Sequence, residues 1–456
     1  MPHTNKYTSK FENAFRDTLA NYIGNKLIAC GYSACFVGGA VRDILLGHTP
    51  HDIDITTNAT PEQVMECFSD MHVTLTGESF PVCRVDGIEV ATFRKDIYTA
   101  DNESFTLTSS IEEDLSRRDL TINAIAVDCH NLEITCVEGA IEDIENRLVK
   151  FVGDPYARIE EDPNRIIRAL RFATGDGFIL DLNTILAIQM SWPKVKDRIA
   201  KERIQVEIMK ALSNYKTCSH FFKLLNYTHI LKDLCPELAR CYKHPHGLYH
   251  MEDVFEHNML CGDALPCEMP LLKLAGYLHD IGKPVVYDGK HFYDHHNVGA
   301  EIVEAWMREY HWSERDIKFV SGAIKCHMRT VMGKPDERMK PKTIRKALVA
   351  FEEAGISLED FILLRIADHN ANLSKTPMSA EEIKRLWSAF LTEAEQTPKT
   401  RKSLAIDGHQ IMSECGIEAG PCVGEIINTC WEFVLDNPDK NDYDSLMAVA
   451  RGALKG

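Results

Sequence analysis

The stretch Phe36–Thr56, FVGGAVRDILLGHTPHDIDIT, decides how the first part of the chain is read. Gly38 and Gly39 break an apolar run, an arginine-aspartate pair follows, and Asp52 and Asp54 stand one residue apart. Residues i and i+2 of a strand point to the same face, so the two carboxylates converge while Ile53 and Ile55 turn into the core. Converging carboxylates repel one another unless a cation neutralises them, and hard oxygen donors select Mg2+. Two such ions activate an attacking hydroxyl and hold a leaving pyrophosphate during an in-line displacement. Glu89, in IEVATFR on an adjacent strand, is the expected third carboxylate. The glycine pair lets backbone approach a phosphate, the helix start behind it offers unpaired N–H groups, and Arg42 adds a fixed positive fork. Alone, a glycine pair is a strand-to-helix turn and an Asp-x-Asp a solvated strand edge. At this short spacing the two together read as a phosphate cradle followed by a metal clamp.

Working outward, the pattern predicts a helix over 11–31 ending at Gly31, a strand over 34–37, a helix from Val41 to Leu46, and a strand in HDIDIT. Further strands are expected in GIEVATFR and LTINAIAVD, with a polar loop from Tyr98 to Ser110 between them. Beyond about Pro155 the pattern is helical almost throughout, so a small α/β domain precedes a long helical body. A chain of 456 residues exceeds one core. With 45% hydrophobic and 26% charged residues it has ordinary globular composition. No apolar run reaches the length of a membrane span, and the first residues lack the apolar segment of an export signal. Fifteen cysteines without C-x-x-C pairs are expected to be reduced thiols in the cytoplasm. A net charge of −17 argues against a protein that coats nucleic acid indiscriminately, while leaving room for a local basic groove.

With VGGAVRDILLGHTPHDIDITTNATPEQV on the page, the first part resembles the head of class II tRNA nucleotidyltransferases, the CCA-adding enzymes, which share a superfamily with bacterial poly(A) polymerases. Three further motifs follow in the family's order and carry the resemblance over about the first 225 residues. EEDLSRRDLTINAIAVD at 112–128 is similar to the motif that holds the ribose, EDPNRIIRALRFA at 161–173 to the one that reads the base, and KERIQVEIMKAL at 201–212 to the neck. The resemblance implies a nucleotidyltransferase α/β head over 1–145 and a helical neck over 146–225. It implies Mg2+ at Asp52 and Asp54, with CTP, ATP and the tRNA 3′ end as partners. It places Gly39 and Arg42 on the triphosphate and Arg118 on the nucleotide, with Asp119 ordering the site. Asp162 and Arg165 become the base readers, because an acceptor and a donor together match the Watson–Crick edge of C or A. Arg168 and Arg171 spiral onward at i+3 steps towards triphosphate or tRNA backbone. A purely structural account also exists, with Asp162 as an N-cap and Pro163 as the first helical residue. One departure stands out. Relatives carry basic residues and a proline in the loop at 97–108, which is linked to the change from C to A addition, and IYTADNESFTLT has neither.

The second half holds a different constellation: His257 in DVFEHNML, His279 and Asp280 in LLKLAGYLHDIGKP, His295 and His296 in FYDHHNVGAE, His327 in AIKCHMR and Asp368 in RIADHNANL. A histidine and an aspartate inside an apolar helix are costly to bury unless paired or bound to metal. The order His, His-Asp, His, His, Asp resembles an HD-domain phosphohydrolase over 226–375, followed by a helical tail over 376–456. The resemblance implies a divalent metal held by His257, His279, Asp280 and Asp368. His295 and His327 extend the set to a second ion, and His296 is the poorer substitute for His295. Hydrolysis there would clean damaged tRNA 3′ ends before repair.

RNA contacts in an acidic chain must be local. Lys194, Lys196, Arg198, Lys201 and Arg203 follow the head directly and would seat the acceptor stem through phosphate contacts, although such runs are usually solvated helix faces. A second basic stretch runs over 325–346. Three functions remain open at this point: full CCA addition; partial (CC- or A-only) addition or poly(A) synthesis on the same fold; and an HD hydrolase with an RNA-binding head. The intact Asp52 and Asp54 pair argues against the last. No feature specifies an oligomeric state.

Overall fold

The buried run Ala34–Val37 becomes β1, near the middle of a mixed sheet. The computed structural model describes residues 4–50, 52–77, 81–98, 103–247, 250–328, 340–395, 397 and 400–454. The strands are β1 (Ala34–Val37), β2 (Asp54–Thr57), β3 (Val73–Thr76), β4 (Val82–Val85), β5 (Ile88–Thr92), β6 (Arg94–Tyr98), β7 (Glu103–Leu107), β8 (Ile125–Asp128) and β9 (Ile134–Cys136). The seven-stranded sheet has the order β3-β4-β5-β2-β1-β8-β9. Its pairs are antiparallel except β2 with β5, whose register sets Ile55 opposite Val90 and so brings Asp54 beside Glu89. Gly38 turns the chain at φ 71°, a conformation that L side chains rarely adopt, and the helix Gly39–Leu46 follows.

Two expectations are corrected here. The helix expected over 11–31 is broken into Thr4–Phe15 and Leu19–Ala29. Asp17 takes a left-handed φ of 61°, and the Thr18 hydroxyl accepts the Asn21 N–H as an N-cap. The break lets the Phe15 ring stack on Phe36 of β1 at 3.8 Å. The loop expected from Tyr98 is, where described, an antiparallel ribbon of β6 and β7, running from Arg94 opposite Leu107 to Tyr98 opposite Glu103. Residues 99–102 lie outside the described residues. A third difference concerns the cysteines. Cys30 and Cys67 are joined as a disulfide with Cα atoms 6.6 Å apart, and the other thirteen are free.

The chain divides into two compact units, Met1–Glu207 and Ile208–Gly456. The first adds to the sheet the helices Pro155–Glu161, Arg165–Phe172 and Leu182–Val195, and a short parallel pair of Leu148–Val149 with Ile179–Leu180. The helix Lys201–Asn214 runs across the boundary. The second unit is helical. Val254–Asp263, Pro270–Leu278, His295–Glu309, Glu314–Cys326 and Leu358–Ala371 carry its functional side chains. The tail builds its own core from Ile411, Ile426, Trp431, Val434 and Leu446, which closes on Val349. Most of the basic stretch at 325–346 falls in 329–339, outside the described residues. Among the described residues no helix is long and apolar enough to cross a membrane.

Candidate active site and metal centre

In the first unit Asp52, Asp54 and Glu89 line one cleft of about 350 Å³, together with Arg84 and the chain around Thr18 and Gly87. Asp52 precedes β2, Asp54 opens it, and Glu89 comes from β5. Arg84 donates to Glu89 at 2.6 Å across the β4–β5 pair. Burial, with the neighbouring charges of Glu89 and Asp52, pushes the Asp54 carboxyl up to about 6, while Arg118 and Arg84 pull it down. An oxygen-only donor set that holds one carboxyl so far above its ordinary range suits a hard divalent cation. On the other side of the glycine turn, Arg42 donates to Asn123 Oδ1 at 2.7 Å and to Asp43 at 2.7 Å, with Phe172 beneath it. Arg118 donates to the fully buried Asp114 at 3.2 Å, and among the described residues its Nε has no hydrogen-bond partner. A Cβ on Gly38 would lie 3.4 Å from the Arg118 guanidinium, so glycine keeps the space between turn and cation open.

The second unit gathers all six expected HD residues. Asp280 Oδ2 lies 3.3 Å from His279 Nε2 and 3.8 Å from His257 Nε2, while Oδ1 lies 3.2 Å from His295 Nε2 and 3.6 Å from His327 Nε2. Asp368 Oδ1 lies 3.1 Å from His257 Nε2 and 3.7 Å from His279 Nε2. Asp280 is therefore shared by two candidate cation positions. The ring orientations are set from behind. Nδ1 of His279, His295 and His327 faces the carbonyl three residues earlier, at 2.8, 2.8 and 2.6 Å. That partner makes Nδ1 the protonated nitrogen and leaves Nε2 as the ligand atom. Among the described residues the buried His279 Nε2 has no partner in hydrogen-bond geometry, which suits a metal-ligand nitrogen. Burial drives His327 down to about 4 and so keeps its imidazole neutral. Burial opposes charge on Asp280, but the neighbouring Lys283 ammonium holds it well below the usual carboxylate range. Gly282 supports the geometry, because a Cβ there would collide with the His295 carbonyl. His295, rather than His296, makes the contact to Asp280.

The sequence reading missed Glu252, His246 and His250. The Glu252 carboxylate is buried and faces Nδ1 of His257 at 3.2 Å and of His250 at 2.6 Å, while its other oxygen accepts the Leu373 N–H. It orients His257 as backbone carbonyls orient the other three. His246 Nε2 lies 3.2 Å from Asp280, and Lys283 donates to the same carboxylate at 2.6 Å. The density of histidines in HPHGLYH, just upstream of His257, was the available signal.

The "Poly A polymerase head domain" model matches residues 34–150, the model of the "Probable RNA and SrmB- binding site of polymerase A" matches 177–242, and the HD domain model matches 247–372. A CCA-adding enzyme of Anoxybacillus flavithermus is 30% identical over 427 residues, covering 91% of this chain and 92% of that one. The chain belongs to the CCA-adding enzyme family. A CCA-adding enzyme of Ligilactobacillus salivarius is 29% identical over 94% of this chain and 95% of its own. The crystal structure of the Bacillus stearothermophilus CCA-adding enzyme in complex with CTP matches with a TM-score of 0.68 at 26% identity, covering 97% and 99% of the two chains. Membership makes the protein a tRNA nucleotidyltransferase.

Against this CCA-adding enzyme frame the neck residues divide. Arg165 is buried, with Nη1 donating to Glu161 at 2.6 Å and to the Arg158 carbonyl at 3.1 Å, and Nη2 donating to the Arg117 carbonyl at 3.2 Å. Asp162 ends the helix Pro155–Glu161 instead of capping the next one, and its Oδ1 accepts the Asn164 N–H. Arg168 donates to Asp119 at 2.7 Å, and Arg171 donates to the buried Glu207 while covering the Phe172 ring. Arg171 is thus committed inside the protein, where the sequence reading sent it towards phosphate. Of the expected RNA contacts, Lys194 is exposed at the end of its helix, and Lys196 and Lys201 are half-buried. Arg198 and Arg203 are already paired, with Glu160 and Asp162.

Proposed function

We propose that the first unit adds C, C and A to the 3′ end of tRNA from CTP and ATP, without a nucleic-acid template. The observation that carries this reading is the convergence of Asp52, Asp54 and Glu89 on one cleft in a chain whose family is CCA-adding. The related structure solved with CTP supports CTP as substrate, and others solved with ATP and with tRNA support the remaining partners. Asp52 and Asp54 would hold Mg2+, with Glu89 beside them. An ion held by these carboxylates would supply activation of the tRNA 3′ hydroxyl and charge neutralisation at the leaving pyrophosphate. Gly38, Gly39 and the start of the helix Gly39–Leu46 offer backbone N–H groups to the triphosphate, with Arg42 and Arg118 as its cations. Asp162 accepts from the amino group of C or A, and Arg165 donates to the neighbouring ring nitrogen. Lys194, Lys196 and Lys201 take the acceptor stem. The thirteen free cysteines are in keeping with a cytoplasmic enzyme, and the Cys30–Cys67 pair is its exception.

We also infer a phosphohydrolase in the second unit. His257, His279, Asp280 and Asp368 would hold one divalent ion, and Asp280, His295 and His327 a second, to activate water against a phosphoester. The bridging position of Asp280 favours this reading.

The test is extension of a tRNA ending at its discriminator base with CTP, ATP, both, or UTP. Two additions with CTP alone and a third only when ATP is present support the reading. A long A tail, or a stop after two additions with both nucleotides present, assigns poly(A) synthesis or partial addition instead.

A further inference from the structure

The contact that closes on Asp162 is a matched fork. Arg203 donates from Nη1 to Oδ1 at 2.9 Å and from Nη2 to Oδ2 at 2.8 Å, and the Asn164 N–H donates to Oδ1 at 3.1 Å. A carboxylate offers about four lone-pair positions. Among the described residues three are in use, and the open one is on Oδ2. We propose that Arg203 is a positioning residue for nucleotide selection, holding the Asp162 carboxylate so that a single acceptor faces the amino group of C or A. This rests on Asp162 as a base reader. An exposed ion pair contributes little to stability, so the weight of this one lies in its geometry. A guanidinium bonded to both oxygens prevents the carboxylate from turning about its last torsion, which a lysine ammonium cannot do. Arg165 is fixed in the same manner by Glu161 and by the carbonyls of Arg158 and Arg117. Acceptor and donor are therefore both oriented before a nucleotide arrives. Uracil presents O4 where cytosine presents its amino group, and a fixed acceptor repels it. A carboxylate free to rotate would tolerate it. The charge pattern of the sequence assigns Arg203 to the RNA backbone, but two of its five N–H donors go to Asp162, whose carboxylate offsets its charge.

The experiment measures addition of the first nucleotide to a tRNA transcript ending at its discriminator base, with CTP or UTP. It compares the wild type, Arg203→Ala, Arg203→Lys and Asp162→Asn, each checked by thermal melting. In both Arg203 variants the CTP-over-UTP ratio of kcat/KM is expected to fall about tenfold, mostly through a higher KM for CTP. Lysine keeps the charge and should not restore the ratio. Affinity for tRNA and its salt dependence should match the wild type. An unchanged ratio, with weaker tRNA binding and a salt slope reduced by about one, would overturn the proposal in favour of a phosphate contact. The Asp162→Asn arm separates the two levels. If it alters base choice while the Arg203 variants do not, only the role of Arg203 fails. If it leaves base choice intact, Asp162 is not the base reader and both assignments fall.

Discussion

Asp54 carries a charge the fold does not favour. Glu89, Asp52, Arg118 and Arg84 face it, and burial leads in raising its pKa to about 6 from an ordinary value of 3.8. Between those values the folded protein holds a proton on Asp54 that the unfolded chain has released, so the contribution of Asp54 to metal-free stability is lost as pH rises from about 4 to 6. Melting series without divalent ions should show this loss as a difference between the wild type and Asp54→Asn, with the wild type losing ground to the variant as pH rises. Adding Mg2+ should raise the melting temperature more at pH 7 than at pH 5, because the ion takes the ionised carboxylate. Equal Mg2+ effects at both pH values would count against a cation at Asp54. In the second unit, Glu252→Gln weakens the buried partner of His257 Nδ1. Metal affinity there should fall about 10- to 100-fold with the fold intact, measurable by competition with a chelator. At this scale the sequence was informative where chemistry imposes a short spacing or a fixed order, as with Asp52 and Asp54 or the six HD residues. Glu252, His246 and His250 escaped because a loop without periodicity brings them to His257. The commitment of Arg171 to Glu207 joins positions 36 residues apart, and a charge pattern read along one helix does not show it.

Elements were legible where pattern and punctuation agreed. Strand β1 and the helix behind Gly38 fall where the apolar run and the glycine pair place them. The break at Asp17 was not legible, since apolar spacing runs through it and only a left-handed aspartate followed by a capping threonine marks it. Thr18→Ala should therefore cost about 1 kcal/mol in denaturant unfolding, and no loss would mean that the cap is dispensable. The β6–β7 ribbon was missed because its alternation is weak; main-chain pairing holds the register, with the Arg94 guanidinium 5.8 Å from the Phe105 ring. Gly282 is the element-scale constraint on the metal centre. Gly282→Val would push against the His295 carbonyl and should abolish metal binding in the second unit, read by metal content, while CCA addition persists.

At the scale of the whole molecule the chain is a nucleotidyltransferase unit followed by a helical unit with its own cluster of candidate metal ligands. The switch from mixed to helical pattern near residue 155 showed that order in advance. The boundary at Glu207 did not show, because it lies inside one continuous helix, Lys201–Asn214. The two chemistries should be separable: Asp280→Asn should abolish phosphoester hydrolysis and leave CCA addition within about twofold. The most direct measurement of the central claim is single-turnover addition of CMP to a tRNA ending at its discriminator base, comparing the wild type with Asp52→Asn/Asp54→Asn. Removing a metal clamp forfeits several kcal/mol of transition-state stabilisation, so the variant should be slower by about a thousandfold or more at unchanged tRNA affinity. A variant that still adds C and C at a rate near that of the wild type would contradict the account.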